Sequence, residues 1–162
     1  MALELGGRLP DATLLKRDGD GFAEVSLAAY TAGRKVVIFA LPGAYTGICS
    51  TSHLPSFIAT AEGFRAKGVD EIICVSVNDP FVLNAWGDDA GATAAGITML
   101  ADAGAALTKA LGMAFTVAQK GLYDRSQRYA LVLEDGVVTK LMVDDPGVCD
   151  RSKGEQLLEA MG

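Results

Sequence analysis

Histidine occurs once in this chain, at position 53, and cysteine three times, at 49, 74 and 149, with no two of them close together. A structural zinc site takes four Cys or His ligands, so none is expected here. An odd number of widely spaced cysteines also speaks against a secreted disulfide framework. It fits a reducing compartment, and the expected location is the cytoplasm. Basic residues are short as well: 14 Lys and Arg stand against 20 Asp and Glu, a net charge of −6. That balance offers no basic footprint for nucleic acid or anionic lipid. No apolar run approaches the roughly 20 residues that span a bilayer. Residues 1–10 lack the basic stretch and apolar core of a secretory signal. The patterns G-x-G-x-x-G and G-x-x-x-x-G-K-[ST] of phosphate-binding loops are missing, and so is the G-x-S-x-G of serine hydrolases.

What is present is an apolar chain of even composition. Half of its 162 residues are hydrophobic and 21% are charged, which allows a sizeable core and excludes a disordered chain. No repeat, low-complexity tract or long linker divides it, so one domain over residues 1–162 is expected. Residues 36–41 and 72–77 are apolar or nearly so throughout, the pattern of strands buried on both faces. Residues 49–67 read as a helix closed by Gly68, with Pro55 expected to kink it just past Cys49. Asp79 and Pro80 read as the cap and first position of another helix. A strand at 97–100 and a helix at 103–111 follow, then a hairpin of 129–133 with 137–143 around Glu134-Asp135-Gly136. A last helix at 153–160 is opened by the capping-box pattern Ser152-x-x-Glu155. Residues 1–35 read as a small N-terminal extension, with a hairpin turn at Asp18-Gly19-Asp20-Gly21. Alternation first and a hairpin last imply an α/β fold with a mixed central sheet flanked by helices.

Cys49 stands where the first buried strand gives way to a helix, at the end of Pro42-Gly43-Ala44-Tyr45-Thr46-Gly47-Ile48-Cys49. A helix N-terminus presents unpaired N–H groups and partial positive charge, which favour the thiolate, the nucleophilic form of cysteine. The hydroxyl of Thr46 is placed to cap the helix or to hydrogen-bond the sulfur. Taken alone, a lone cysteine is most often a small buried apolar residue. The loop composition before it favours a reactive group. Arg125 and Arg128 lie on a polar stretch, where arginine is usually a solvated surface charge. His53 reads as a packing or capping residue more than a catalytic one.

Pro42-x-x-x-Thr46-x-x-Cys49 matches the active-site signature of the peroxiredoxins. The wider run from Pro42 to Pro55, with Cys49-Ser50-Thr51-Ser52-His53-Leu54-Pro55, resembles the peroxiredoxin-5 or type II subfamily. Cys74-Val75-Ser76-Val77-Asn78-Asp79-Pro80-Phe81-Val82, Ala85-Trp86-Gly87 and Arg128-Tyr129-Ala130-Leu131-Val132 resemble the same subfamily, in family order along nearly the whole chain.

The resemblance implies a thioredoxin-like fold and a thiol-dependent peroxidase acting on hydrogen peroxide and small organic hydroperoxides. Cys49 would attack the peroxide and become a sulfenic acid. Thr46 would hydrogen-bond thiolate and peroxide, Pro42 would wall the pocket, and Arg128 would hold the thiolate and stabilise charge on the peroxide oxygens. The resemblance implies no cofactor and no metal, an external thiol reductant (glutathione, glutaredoxin or thioredoxin) and a homodimer. Recycling by that external thiol is the leading expectation, ahead of Cys149 and then Cys74 as resolving partner. Cys74 lies inside an apolar strand and reads as buried, whereas Cys149 follows the loop Asp145-Pro146-Gly147-Val148. The competing class is a non-catalytic or redox-sensing interaction module on the same fold, which would tolerate loss of Thr46, Cys49 or Arg128. A thioredoxin-type reductase is disfavoured, because positions 46 and 52 hold Thr and Ser where a second cysteine is needed.

Overall fold

The computed structural model describes residues 3–162, and at Cys49 and Ser50 the backbone only. Its centre is three parallel strands: β3 (Lys35–Leu41), β4 (Glu71–Ser76) and β5 (Ile97–Ala101). Two antiparallel hairpins extend them. On one side, β8 (Tyr129–Glu134) pairs with β3 and carries β9 (Val137–Val143). On the other, β1 (Thr13–Asp18) pairs with β5 and carries β2 (Gly21–Ser26). The order is β2-β1-β5-β4-β3-β8-β9, a mixed sheet as expected. The N-terminal hairpin is therefore an edge of the main sheet.

Alternation along β3 sends successive side chains to opposite faces. Val37, Phe39 and Leu41 join Cys74 under α2 (Leu54–Ala66), α3 (Pro80–Asp89) and α5 (Gly154–Ala160), where Phe57, Trp86 and Leu157 complete one core. Val36, Ile38 and Ala40 join Ile73, Val75 and Tyr129 under α1 (Leu27–Thr31) and α4 (Ala106–Ala110). Strands covered on both faces must be apolar throughout, which explains the two continuous runs. Among the described residues no helix is long and apolar enough to cross a membrane.

Three local features depart from the sequence reading. Residues 49–67 are not one α-helix: Cys49–His53 forms a π-helical turn before α2 begins at Leu54. Pro55, second in α2, has no N–H to give and its ring crowds the carbonyl one turn back, so the wider turn relieves the clash. Ser152 does not cap α5, whose N-cap is Lys153; its hydroxyl is committed to Asp144 instead. A separate two-stranded sheet, β6 (Ala114–Val117) and β7 (Leu122–Ser126), joined by the 3₁₀ turn Ala118–Lys120, was not expected from the sequence. β6 is only four residues long and β7 is mostly polar, so neither carries the sustained apolar signal of the core strands.

Candidate active site

The loop 42–48 leaves the C-terminal end of β3, where open α/β sheets place their reactive groups. Each turn of it is pinned. The Pro42 carbonyl accepts a hydrogen bond from Arg125 Nη1 at 2.9 Å. A Cβ on Gly43 would sit 2.2 Å from that same nitrogen, so glycine permits the contact. The Ala44 N–H donates to Asn78 Oδ1 (2.9 Å), which also accepts from Ser76 Oγ (2.6 Å). Tyr45 takes a left-handed conformation (φ 62°), its hydroxyl donating to Asp89 at 2.6 Å and its ring 6.4 Å from that of Trp86. Thr46 Oγ1 donates to the Gly43 carbonyl at 2.7 Å. A hydroxyl has one proton, so Thr46 keeps its lone pairs for a partner that brings its own hydrogen.

Pro42 and Thr46 line a cavity of about 480 Å³ together with Gly47, Ile48, Phe115, Val117, Leu122 and Arg128. The cavity joins three distant stretches of chain, 42–48, 115–128 and 145–147, at the entrance to the π-helical turn that Cys49 begins. Arg128 lies in the two-residue link between β7 and β8 and is 8% exposed. Its link is held by Gln127 N–H donating to Met113 (2.9 Å) and Asp144 N–H donating to the Arg128 carbonyl (3.1 Å). The structure thus brings Pro42, Thr46 and Arg128 together around the loop that delivers Cys49. Arg125, set aside in the sequence, clasps the Pro42 carbonyl. The recurring arginine beside Arg128 was its one signal.

The other two cysteines separate. Cys74 is fully buried in β4, between Phe39 of β3 and Met99 of β5. Cys149 is half-buried. Burial raises its pKa, against the opposing pulls of Ser52 and the Arg128 charge. His53 is fully buried, edge-on to Phe39 and Phe57 at 5.5 and 5.7 Å, as a packing residue would be. Its Nε2–H donates to the Ser152 carbonyl at 3.0 Å. Ser152 in turn donates to Asp144, which also accepts backbone N–H bonds from Asp150, Arg151 and Ser152. Burial works to raise the Asp144 pKa, but these hydrogen bonds outweigh it and hold the carboxyl below its usual range. The network ties the segment carrying Cys149 to the turn that begins at Cys49.

Burial pushes the His53 pKa down to about 4, opposed by the Ser152 carbonyl and reinforced by the Arg128 charge. A histidine whose folded pKa lies below its unfolded value of about 6.5 binds its proton more readily unfolded. Its contribution is intact above about pH 6.5 and is lost as pH falls toward 4. The expected loss is about 3 kcal/mol. Denaturant unfolding at pH 7 and pH 4 will show the wild type losing that much more stability than His53→Gln.

The Redoxin family model matches residues 4–158. With peroxiredoxin relatives 47% and 42% identical over nearly its whole length, the chain belongs to the peroxiredoxins. The chloroplastic peroxiredoxin-2E-2 of Oryza sativa subsp. japonica is 47% identical over 98% of this chain and 72% of its own length. Peroxiredoxin-2C of the same plant is 42% identical over 97% of both chains. Among solved structures, the reduced Prx3 of Vibrio vulnificus in complex with H2O2 superposes with a TM-score of 0.94 at 44% identity, covering 99% of each chain. The fold of this peroxiredoxin is thioredoxin-like, and it is a thiol-dependent peroxidase, an enzyme that draws on an external thiol. The interaction-module reading is not favoured. Among the described residues no group of three or more His, Cys, Asp or Glu side chains is placed to hold a metal.

Proposed function

We propose that Cys49 is the peroxidatic nucleophile and that Pro42, Thr46 and Arg128 form the pocket in which it meets hydrogen peroxide or a small organic hydroperoxide. The observation that carries this reading is the convergence of those three side chains on one cavity, at the loop that leads into Cys49. The thiolate attacks the terminal oxygen of HO–OR, the O–O bond breaks, and Cys49 becomes a sulfenic acid. The leaving RO⁻ takes a proton and departs as water or alcohol. Arg128 favours the thiolate and stabilises the charge that builds on the leaving oxygen. Thr46, its proton on Gly43, accepts the hydrogen of the peroxide. Pro42, buried with its carbonyl held by Arg125, walls the pocket against water.

An external thiol, glutathione or a glutaredoxin or thioredoxin, then condenses with the sulfenic acid and expels water. A second thiol equivalent reduces the mixed disulfide. The burial of Cys74 within the sheet and the raised pKa of Cys149 support this one-cysteine cycle. A second reading, with Cys149 as resolving partner, is favoured by the pull that Ser52, three residues past Cys49, exerts on the Cys149 thiol. Exposed Tyr45, Ile48, Phe81 and Val82 beside the loop support a homodimer through this face. Widely spaced cysteines support a reducing, cytoplasmic setting.

Intact mass after one equivalent of hydrogen peroxide tests the reading. Gain of one oxygen, replaced by a glutathione adduct when glutathione is added, is expected in wild type and in Cys149→Ser. Loss of two hydrogens in wild type, abolished by Cys149→Ser, would establish the internal resolver instead. An unchanged Cys49 in every variant would overturn the assignment of the nucleophile.

A further inference from the structure

The cavity is far larger than the peroxide group needs. Its volume of about 480 Å³ compares with roughly 30 Å³ for a water molecule in the liquid, and it lies in the range of sites for whole organic ligands. Its walls away from Thr46 and Arg128 come from the β6–β7 hairpin. Phe115 and Val117, two apart on β6, present one face of that strand, and Leu122 pairs with Val117 across the hairpin. Ile48 and Pro146 add to the same apolar lining.

Lys120 also lines the cavity, from the 3₁₀ turn at the hairpin tip, whereas Arg128 stands beyond the far end of β7. The five residues of β7 lie between them, and with the bulge at Asp124 they span on the order of 10 Å at about 3.3 Å per step. Among the described residues none of the ion pairs includes Lys120. The one carboxylate lining the cavity, Asp145, is paired with Arg151 at 3.1 Å, and the nearby Asp124 is paired with Lys109 at 3.4 Å. The cavity therefore has a reacting end, an apolar middle and a cation at the opposite end with no acid set against it.

We propose that Lys120 is a specificity residue, selecting organic hydroperoxides whose apolar chain ends in a carboxylate. The hydroperoxide group sits between Thr46 and Arg128, the chain lies on Phe115, Val117 and Leu122, and the carboxylate meets Lys120. This deepens the peroxidase reading and rests on it. Lys120 is solvent-exposed, so the charge pair is of the modest surface kind, and it weakens as salt is added.

The test compares linoleic acid hydroperoxide with its methyl ester, which has the same chain and peroxide but no charge. The wild type is expected to show a kcat/KM about fivefold higher for the acid, with the preference shrinking at high salt. Lys120→Gln is expected to remove the preference and Lys120→Glu to reverse it. Equal rates for acid and ester in wild type, or a preference that persists in Lys120→Gln, would overturn the assignment. Turnover of hydrogen peroxide by wild type reports separately on the peroxidase reading. With that turnover intact, a failed acid-to-ester ratio sinks only the role of Lys120; without it, both fall.

Discussion

Cys49→Ser is expected to lower kcat/KM for every hydroperoxide by more than about 10⁴-fold, leaving the rate of the uncatalysed reaction between peroxide and reductant. A serine hydroxyl is of similar size but is neutral at pH 7, and an alkoxide oxygen does not accept an oxygen atom from a peroxide as sulfur does. The exchange of sulfur for oxygen nearly conserves volume, and volume-conserving exchanges are the ones a fold tolerates best. Far-UV circular dichroism and the denaturant midpoint are therefore expected to match the wild type. Cys74→Ser and Cys149→Ser, assayed with glutathione as reductant, are expected to retain turnover. An active Cys49→Ser variant would move the chemistry to another residue and dissolve the constellation of Pro42, Thr46 and Arg128.

The constellation was legible because its chemistry is written in short local runs. Pro42, Thr46 and Cys49 share one loop, and Arg128 directly precedes the apolar run of β8. The central strands were legible because burial on both faces leaves no room for polar residues, and α3 because Asp79 accepts from Val82 N–H while Pro80 needs no partner there. What remained hidden depends on distant partners. Ser152-x-x-Glu155 has the spelling of a capping box, yet Asp144 and His53, eight and 99 residues away, claim Ser152 first. The β6–β7 hairpin, which supplies the far wall of the cavity, has no buried face to impose alternation on its sequence. Arg125 looks like any surface arginine until Gly43 is seen to make room for it.

Arg128→Met is expected to slow the reaction with hydrogen peroxide by about 10³-fold, in line with the loss of one preorganised stabiliser of transition-state charge together with part of the thiolate population. Methionine keeps the unbranched apolar stem that fills this 8%-exposed position and removes only the charged fork. The two effects separate in a pH–rate profile. If Arg128 acts on ionisation alone, raising the pH past the thiol pKa, which moves toward the free value of about 8.5, restores the wild-type rate. If it also acts on the leaving oxygen, a deficit of roughly 10²-fold persists at the plateau, and that is the expected outcome. Arg128→Lys restores the charge without the planar fork, so it is expected to recover the pKa more fully than the plateau rate. Arg128→Met carries a further signature remote from the sulfur. The Arg128 charge helps hold the His53 pKa down at about 4, so its removal raises that pKa and softens the acid-induced loss of stability. An Arg128→Met variant that slows turnover yet leaves the His53 titration untouched would place the Arg128 side chain elsewhere than between the cavity and the buried network behind it.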